Sequence, residues 1–401
     1  MESLKELYRV GPGPSSSHTL AIQHACLYFM RQYPDTQKHV VDLYGSLSLT
    51  GKGHRTDKII IETFEKHGKE VVVNFKDDWN VKHPNTLVIS VVDSDISMTI
   101  YSVGGGAIRV EGVTQVVNPY VYPQQSYSDI VSFCKERNLN LYEYVLHYEP
   151  DIDGFLAEIV DQMLETVDKG LHTTGMLPGL LKMSRVASEI YEKANMAIDP
   201  SEKKTLLLTA YAYACAEENA DGQTVVTAPT LGSCGVIPAV VSYYYHVCNV
   251  DKKRLQEALG VAGIFGNLIK TNATISGAEG GCQAEIGAAC AMAAALCSYI
   301  ENLSFEQIGY AAEIGIEHHL GLTCDPVGGY VMIPCIERNG VAALRAMDAM
   351  LYAKHIGSIK PNKITFDMVV QTMKYTGKKL ALELKETSLG GLALVMPINH
   401  D

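Results

Sequence analysis

The sequence predicts an α+β N-terminal domain followed by a larger, mostly α-helical domain. Three observations predict it. The first third carries short β-branched runs bounded by polar turns. Residues 118–127 are polar and broken by two prolines, which interrupts the periodic pattern. Beyond them, apolar residues recur at i, i+3 and i+4 over successive segments. The expected division is therefore 1–117, a linker at 118–127, and 128–401.

The elements follow in order. A helix is expected near Leu20–Tyr33, and Val40–Tyr44 is a short apolar run with strand texture. Ile59–Ile61 is apolar too, but its flanks favour a helix. Glu70–Phe75 and Thr86–Val92 are β-branched strands. Ser97–Val103 alternates and runs into Gly104-Gly105-Gly106. No G-x-G-x-x-G opens a helix there, so those glycines read as a turn or a close backbone approach rather than a phosphate loop. After the linker, helical spacing covers Tyr142–Leu146, Phe155–Val167, Leu180–Ala194, Leu206–Ala216, Ala262–Lys270, Phe305–Ile316 and Val341–Ala353. Ile286–Ile300 is small and apolar on nearly all faces, which places it at the centre of a bundle. It stops at Glu301 and is too short for a membrane span.

Composition limits the function classes. Hydrophobic residues make up 47% of 401 and charged residues 19%, a balance that supports a large core and excludes disorder as the main state. The net charge of −12, without a basic run, argues against nucleic acid as a partner, because neutralising phosphates needs clustered Lys and Arg. The N-terminus, Met1-Glu2-Ser3-Leu4-Lys5-Glu6, has no signal-peptide pattern. A cytoplasmic protein with no membrane partner is the expectation. Ten cysteines in a reducing compartment read as free thiols, most of them small buried hydrophobes.

Three of those thiols have unusual neighbours. Cys282 follows Gly280-Gly281, Cys324 precedes Asp325-Pro326, and Cys335 follows Pro334. Backbone breakers allow loops to bring such thiolates together, and three thiolates suit soft metals, iron–sulfur clusters above all. No CxxC pair supports a zinc ribbon or a thioredoxin motif. Three unrelated buried thiols is the competing reading. Cys234, in Gly232-Ser233-Cys234-Gly235, is a rival ligand on spacing, whereas Cys290 and Cys297 read as core.

A set of short segments is more specific. Gly13-Pro14-Ser15-Ser16-Ser17-His18-Thr19 and Leu43-Tyr44-Gly45-Ser46-Leu47-Ser48-Leu49-Thr50-Gly51-Lys52-Gly53-His54 resemble the N-terminal domain of iron–sulfur-dependent L-serine dehydratase (L-serine ammonia-lyase). Thr227-Ala228-Pro229-Thr230, Lys270-Thr271-Asn272-Ala273, Ser276-Gly277-Ala278-Glu279, Gly281-Cys282-Gln283, Thr323-Cys324-Asp325-Pro326-Val327, Pro334-Cys335-Ile336-Glu337-Arg338-Asn339 and Lys385-Glu386-Thr387-Ser388 resemble its larger domain. They occur in the family's order along nearly the whole chain. The resemblance is to the form with both domains fused and no ACT domain. Two departures adjoin histidines: Leu20-Ala21-Ile22 stands where a Gly-Pro pair is frequent, and Arg55 follows His54 where glycine is common. Gly280 also stands where many members have valine.

What the resemblance implies is a [4Fe–4S] cluster held by Cys282, Cys324 and Cys335, and deamination of L-serine to pyruvate and ammonia without pyridoxal phosphate. It also implies His54 and His18 as the catalytic pair, since histidine titrates near working pH, with His54 favoured as base and His18 as a positioning or proton-relay partner. Ser15, Ser16, Ser17 and Thr19 are candidates to cradle the substrate carboxylate or to cap a helix. Lys52 and Arg55 are candidates to add positive charge, and Thr230, Asn272, Ser276 and Lys385 to line the site from the helical domain. His400 or Asp401 is a candidate to cap the open iron at rest. A homodimer is the expected assembly. The alternatives are the same cluster chemistry on L-cysteine or L-threonine, a pyridoxal-phosphate enzyme using Lys270, and a cluster-bearing sensor without turnover.

Overall fold

The computed structural model describes residues 1–78, 82–113 and 120–396. Asn118 and Pro119 of the expected linker, and His400 and Asp401, lie outside the described residues.

The N-terminal part is built on a five-stranded sheet. After a short strand β1 (Val10–Pro12) come β2 (Lys38–Gly45), β3 (Glu70–Phe75), β4 (Asn85–Val91), β5 (Ser97–Ser102) and β6 (Ile108–Val110), in the spatial order β3-β2-β4-β5-β6. The β2–β3 pair is parallel and the others are antiparallel. A parallel neighbour needs a crossover, which the Thr56–Lys66 helix supplies. Ile59–Ile61 therefore lies in a helix, as its flanks indicate. Alternation decides the buried face: Val41, Leu43, Leu87, Ile89 and Ile100 pack against Ile22, Phe29, Ile60 and Phe64 of the Ala21–Gln32 and Thr56–Lys66 helices.

The remainder is mostly helical and surrounds Ile286–Ile300, every residue of which is buried. Its small side chains let neighbours approach backbone to backbone. A Cβ added to Gly315, on the Phe305–Glu317 helix, would lie 2.7 Å from Ala291 Cα. Among the described residues, Cys282–Ile300 is apolar and long enough to cross a membrane, but 89% of that window is buried inside the protein. Its apolarity serves the core.

Two features were not anticipated. The first dozen residues pack into the helical core: Leu4, Leu7 and Tyr8 are at most 1% exposed. The Tyr8 hydroxyl donates to Leu259 O at 2.9 Å. β1 pairs antiparallel with β7 (Thr224–Val226), Val10 opposite Val226. The second feature corrects the helix expected over Leu180–Ala194, which instead spans Ala187–Met196. The residues before it fold into a tight loop, with Leu177 N donating to Met183 O and Arg185 N to Gly175 O, both at 2.8 Å. The buried Glu217 carboxylate accepts from Val186 N at 2.8 Å and so fixes where the helix starts. The spacing also gave no sign of the helices Tyr127–Arg137 and Phe366–Lys379.

Candidate functional site

Three loops of the helical domain bring Cys282, Cys324 and Cys335 to one cleft. Cys282 opens a short 3-10 turn after Gly281, whose φ of 74° is in the left-handed region. Cys335 is the first residue of the Cys335–His355 helix. Cys324 lies in a loop pinned by backbone pairing with a distant segment: Cys324 N donates to Leu384 O at 2.8 Å and Glu386 N to Cys324 O at 2.6 Å. The cleft is a small cavity of about 20 Å³. Besides the thiols it is lined by Ser15, His54, Glu285, Arg338 and Glu386. It thus lies between the two domains.

The thiols press on one another electrostatically. Burial pushes Cys282 up to about 11, with the nearby Arg338 guanidinium opposing the rise. Cys324 is raised well above the ordinary thiol range by burial, then by Glu285 and Glu386, then by Cys282 and Cys335. Cys335 is raised by burial and by Cys282. A set of thiols that resists becoming thiolate together is one that a positively charged group would relieve. Space for such a group is kept by glycine. A Cβ on Gly277 would lie 2.6 Å from Glu285 Oε2 and 3.2 Å from Cys324 Sγ. The donor set therefore fits an iron–sulfur cluster held by three cysteines. Cys234 lies elsewhere: it packs with Cys215, whose Sγ donates to Cys234 O at 3.2 Å. Cys290 and Cys297 are enclosed in the central helix.

His54 of the N-terminal domain lines the cleft with the cysteines, and His18 of the same domain stacks on it. His18 lies in a wide π-type turn, Ser16–Leu20, that runs directly into the Ala21–Gln32 helix. His54 lies in the turn ahead of the Thr56–Lys66 helix. Their rings stack, with centroids 4.2 Å apart and planes 23° apart. Backbone carbonyls fix both tautomers, because a carbonyl can only accept. His54 Nδ1–H donates to Thr50 O at 2.9 Å, which leaves Nε2 with its lone pair. His18 Nε2–H donates to Ser46 O at 3.2 Å and to Thr50 Oγ1 at 2.8 Å, which leaves Nδ1 with its lone pair. Both lone-pair nitrogens face Glu386: His18 Nδ1 is 3.5 Å and His54 Nε2 3.9 Å from its Oε1. The ligand atoms of His18, His54 and Glu386 all lie within 4.8 Å of one another, a spacing that suits a shared proton or a metal ion. Burial pushes His54 down to about 4 and lowers His18, helped by His54 itself. Burial raises Glu386 well above the usual carboxyl range, with Glu285 adding to the rise.

The other expected residues divide into two groups. Ser15 lines the cleft, and its hydroxyl is 3.3 Å from His18 Nδ1. Ser16 and Ser17 are buried at the start of the turn. Thr230 donates to Glu285 Oε1 at 2.8 Å. Ser276 is buried with no hydrogen-bond partner for its hydroxyl among the described residues. Its Cβ would be in ordinary contact, 3.4 Å, with one added at Gly104; the close approaches among the three glycines are at Gly105 and Gly106, where an added Cβ would lie 2.9 Å from Ile275 Cδ1 and 2.7 Å from Leu20 Cδ2. Thr19 is spent within its own turn, donating to Ser15 O at 2.6 Å and to Pro12 O at 2.9 Å. Lys385 contributes its backbone, in a one-residue parallel bridge with Cys324. Lys52 is exposed, with its ammonium 5.6 Å from the centre of the Phe75 ring. Asn272 donates to Gln125 O at 2.7 Å. Neither Lys52 nor Asn272 lines the cleft. Arg55 points away to the helical domain, donating to Asp221 O at 2.7 Å.

Four charged cleft residues were not singled out from the sequence: Glu285, Asp325, Arg338 and Glu386. Asp325, Arg338 and Glu386 stand inside the quoted segments. Glu285 had a signal of its own, an acidic residue at the head of the uncharged run Ile286–Ile300.

Comparison with known proteins bears on the whole chain. The serine dehydratase beta chain model matches residues 3–72, and the serine dehydratase alpha chain model matches residues 55–393. The chain is 38% identical to an L-serine dehydratase of Streptomyces coelicolor, with 98% of each chain covered. It is 37% identical to L-serine dehydratase 1 of Escherichia coli, covering 98% of this chain and 99% of that one. With an L-serine dehydratase of Haemophilus influenzae the identity is 36% over the full length of both. The first of these alignments runs over 450 positions against 401 residues here, so that relative carries insertions this chain lacks. The chain belongs to the serine dehydratase family, with the beta-chain and alpha-chain regions joined in one polypeptide.

Proposed function

We propose that the protein deaminates L-serine to pyruvate and ammonia at an iron–sulfur cluster held by Cys282, Cys324 and Cys335, with His54 as the base and no pyridoxal phosphate. The observation that carries this is the single cleft where those thiols meet His54. A cluster with three cysteine ligands supplies a Lewis-acidic iron that no protein thiolate occupies.

The chain's own residues do the rest. The substrate's negative end is held by the turn at Ser15–Ser17, whose leading amides head a continuous helix and suit a carboxylate. His54 Nε2 takes the Cα proton. The electrons of that C–H bond become the Cα=Cβ bond as the Cβ–O bond breaks and hydroxide departs, becoming water with the proton His54 took from Cα. The enamine tautomerises to an imine, which water hydrolyses to pyruvate and ammonia. His54 is neutral through the working pH range, because burial depresses it. A neutral imidazole with a fixed tautomer can accept without first losing a proton. The nitrogen that gains it, His54 Nε2, lies 3.9 Å from Glu386 Oε1, and His18 Nδ1 lies 3.5 Å from that same oxygen. In this reading Glu386 and His18 serve as a short proton relay behind the base.

The test is pyruvate release from L-serine by protein reconstituted anaerobically with iron and sulfide, without pyridoxal phosphate, beside an aliquot exposed to air. Activity that air abolishes supports the reading. Protein that holds its cluster yet releases no pyruvate refutes it.

A further inference from the structure

We propose that Arg55 is a positioning residue for the catalytic base: its guanidinium, seated on the end of the Pro200–Ala220 helix, fixes the His54 turn of one domain against the other. The proposal deepens the dehydratase reading and rests on it.

Arg55 holds a left-handed backbone, φ 61° and ψ 29°. A non-glycine residue there is uncommon and disfavoured unless something compensates. Nothing local does so. Its own amide donates to Lys52 O at 3.2 Å and its carbonyl accepts from Ile59 N at 3.1 Å, bonds that glycine would make equally well. What only arginine adds is the side chain. It spans from the N-terminal domain to the helical one and donates from Nη1 to Asp221 O at 2.7 Å. That carbonyl belongs to the residue capping the Pro200–Ala220 helix, the negative end of the helix dipole. Gly222, with φ 81°, leaves room: a Cβ there would lie 2.7 Å from the guanidinium.

The seat is rigid. Arg185 holds Asp221 Oδ2 at 2.8 Å and the buried Glu218 at 2.6 Å, and Lys169 holds the other Glu218 oxygen at 2.9 Å. The same helix end also grips the other catalytic loop. Asn219 Nδ2 donates to Pro14 O at 2.8 Å, next to Ser15, and Gly13 N donates to Gln223 O at 3.0 Å. One helix terminus therefore sets both the Ser15–His18 turn and the His54 turn in the frame that carries the cysteines. Arg55 adjoins His54 in sequence, so its anchor ties that frame to the base through a single residue.

The experiment uses the reconstituted full-length enzyme and Arg55→Gly, which relieves the backbone and removes only the anchor. Arg55→Asn, which also tolerates the left-handed region and is too short to reach Asp221, serves if the glycine variant folds poorly. The readouts are kcat and KM for L-serine, iron content, backbone amide hydrogen exchange over residues 50–56 without substrate, and recovery of kcat with millimolar ethylguanidinium. The expected result is a kcat about 10- to 100-fold lower, the scale of a sub-ångström to ångström misplacement. KM and iron content stay unchanged, exchange over 50–56 speeds up, and ethylguanidinium restores part of kcat. His54→Ala shows no such recovery. An unchanged kcat with unchanged exchange overturns the proposal, and so does a loss of turnover that follows loss of iron. A parent enzyme that releases no pyruvate refutes the dehydratase reading instead, and the exchange measurement then judges the anchor alone.

Discussion

Gly53→Ala tests whether turnover depends on how closely the two domains meet at His54. Gly53 precedes the base, and its backbone is not in the left-handed region, so alanine is acceptable locally. Across the domain boundary it is not. The added Cβ would lie 2.5 Å from Gly328 O and Gly329 C, and 2.6 Å from Gly329 O. Comfortable contacts of this kind are about 3.3 Å or more, so the backbones must separate by about 0.8 Å. The 328–329 backbone runs close to Thr50: a Cβ on Gly329 would lie 3.1 Å from Thr50 Cα and Thr50 O. Thr50 O is the acceptor that orients His54 Nδ1. The shift therefore reaches the base through both its neighbours. A displacement near 1 Å costs about 10²-fold in rate, and overpacking costs about 1–3 kcal/mol of stability. The assay is steady-state pyruvate release from reconstituted enzyme, with iron content and a denaturant titration on the same preparation. A kcat within about threefold of the parent, at equal iron content, refutes the claim that this contact sets the base.

Further outcomes follow from the same geometry. Cys282→Ala, Cys324→Ala and Cys335→Ala are each expected to lose bound iron and turnover together, whereas Cys234→Ala keeps both; iron analysis and pyruvate release on the four variants decide the ligand set. His54 is held near 4 when folded but titrates near 6.5 when unfolded, so the unfolded chain binds the extra proton between those values. Stability of the cluster-free protein should thus be full above pH 6.5 and fall as pH drops toward 4. His54's share is on the order of 3 kcal/mol, and urea titrations at pH 7 and 4.5 on parent and His54→Gln should differ by it; equal slopes remove the assignment. Gly154→Ala, in the Ile152–His172 helix with open space around the new Cβ, should raise stability by about 0.5–1 kcal/mol with unchanged kcat. A lower melting temperature for that variant contradicts the helix-propensity argument.

Periodicity made the body of the fold legible. The β-branched runs at residues 70–75 and 86–91 form strands because one face of each meets the helices, and Ile286–Ile300 is central because it has no polar face. The first dozen residues were illegible for a physical reason: Leu4 and Tyr8 find their partners some 250 positions away, on the Lys252–Asn272 helix. No local pattern encodes that. The site was legible through its motifs rather than through spacing. Cysteine intervals alone do not bring Cys282, Cys324 and Cys335 together, and what distinguishes Glu285 and Glu386 from the chain's other carboxylates is their place in the cleft beside those thiols, which no local pattern encodes. Lys52 and Asn272 show the reverse: motif position placed them near the chemistry, while Phe75 and Gln125 hold them outside the cleft.

The entry of Leu4, Leu7, Tyr8 and β1 into the helical body means that the chain's two halves are interlocked and not merely joined. Cutting the polypeptide ahead of residue 127 would not free an intact helical domain. It would leave β7 with an unpaired edge and an apolar hollow where Leu4 and Tyr8 had been. The other fragment would carry the strand and side chains that fill both. A two-polypeptide version of this molecule would therefore be a complemented assembly, in which one subunit donates the strand that completes its partner's core.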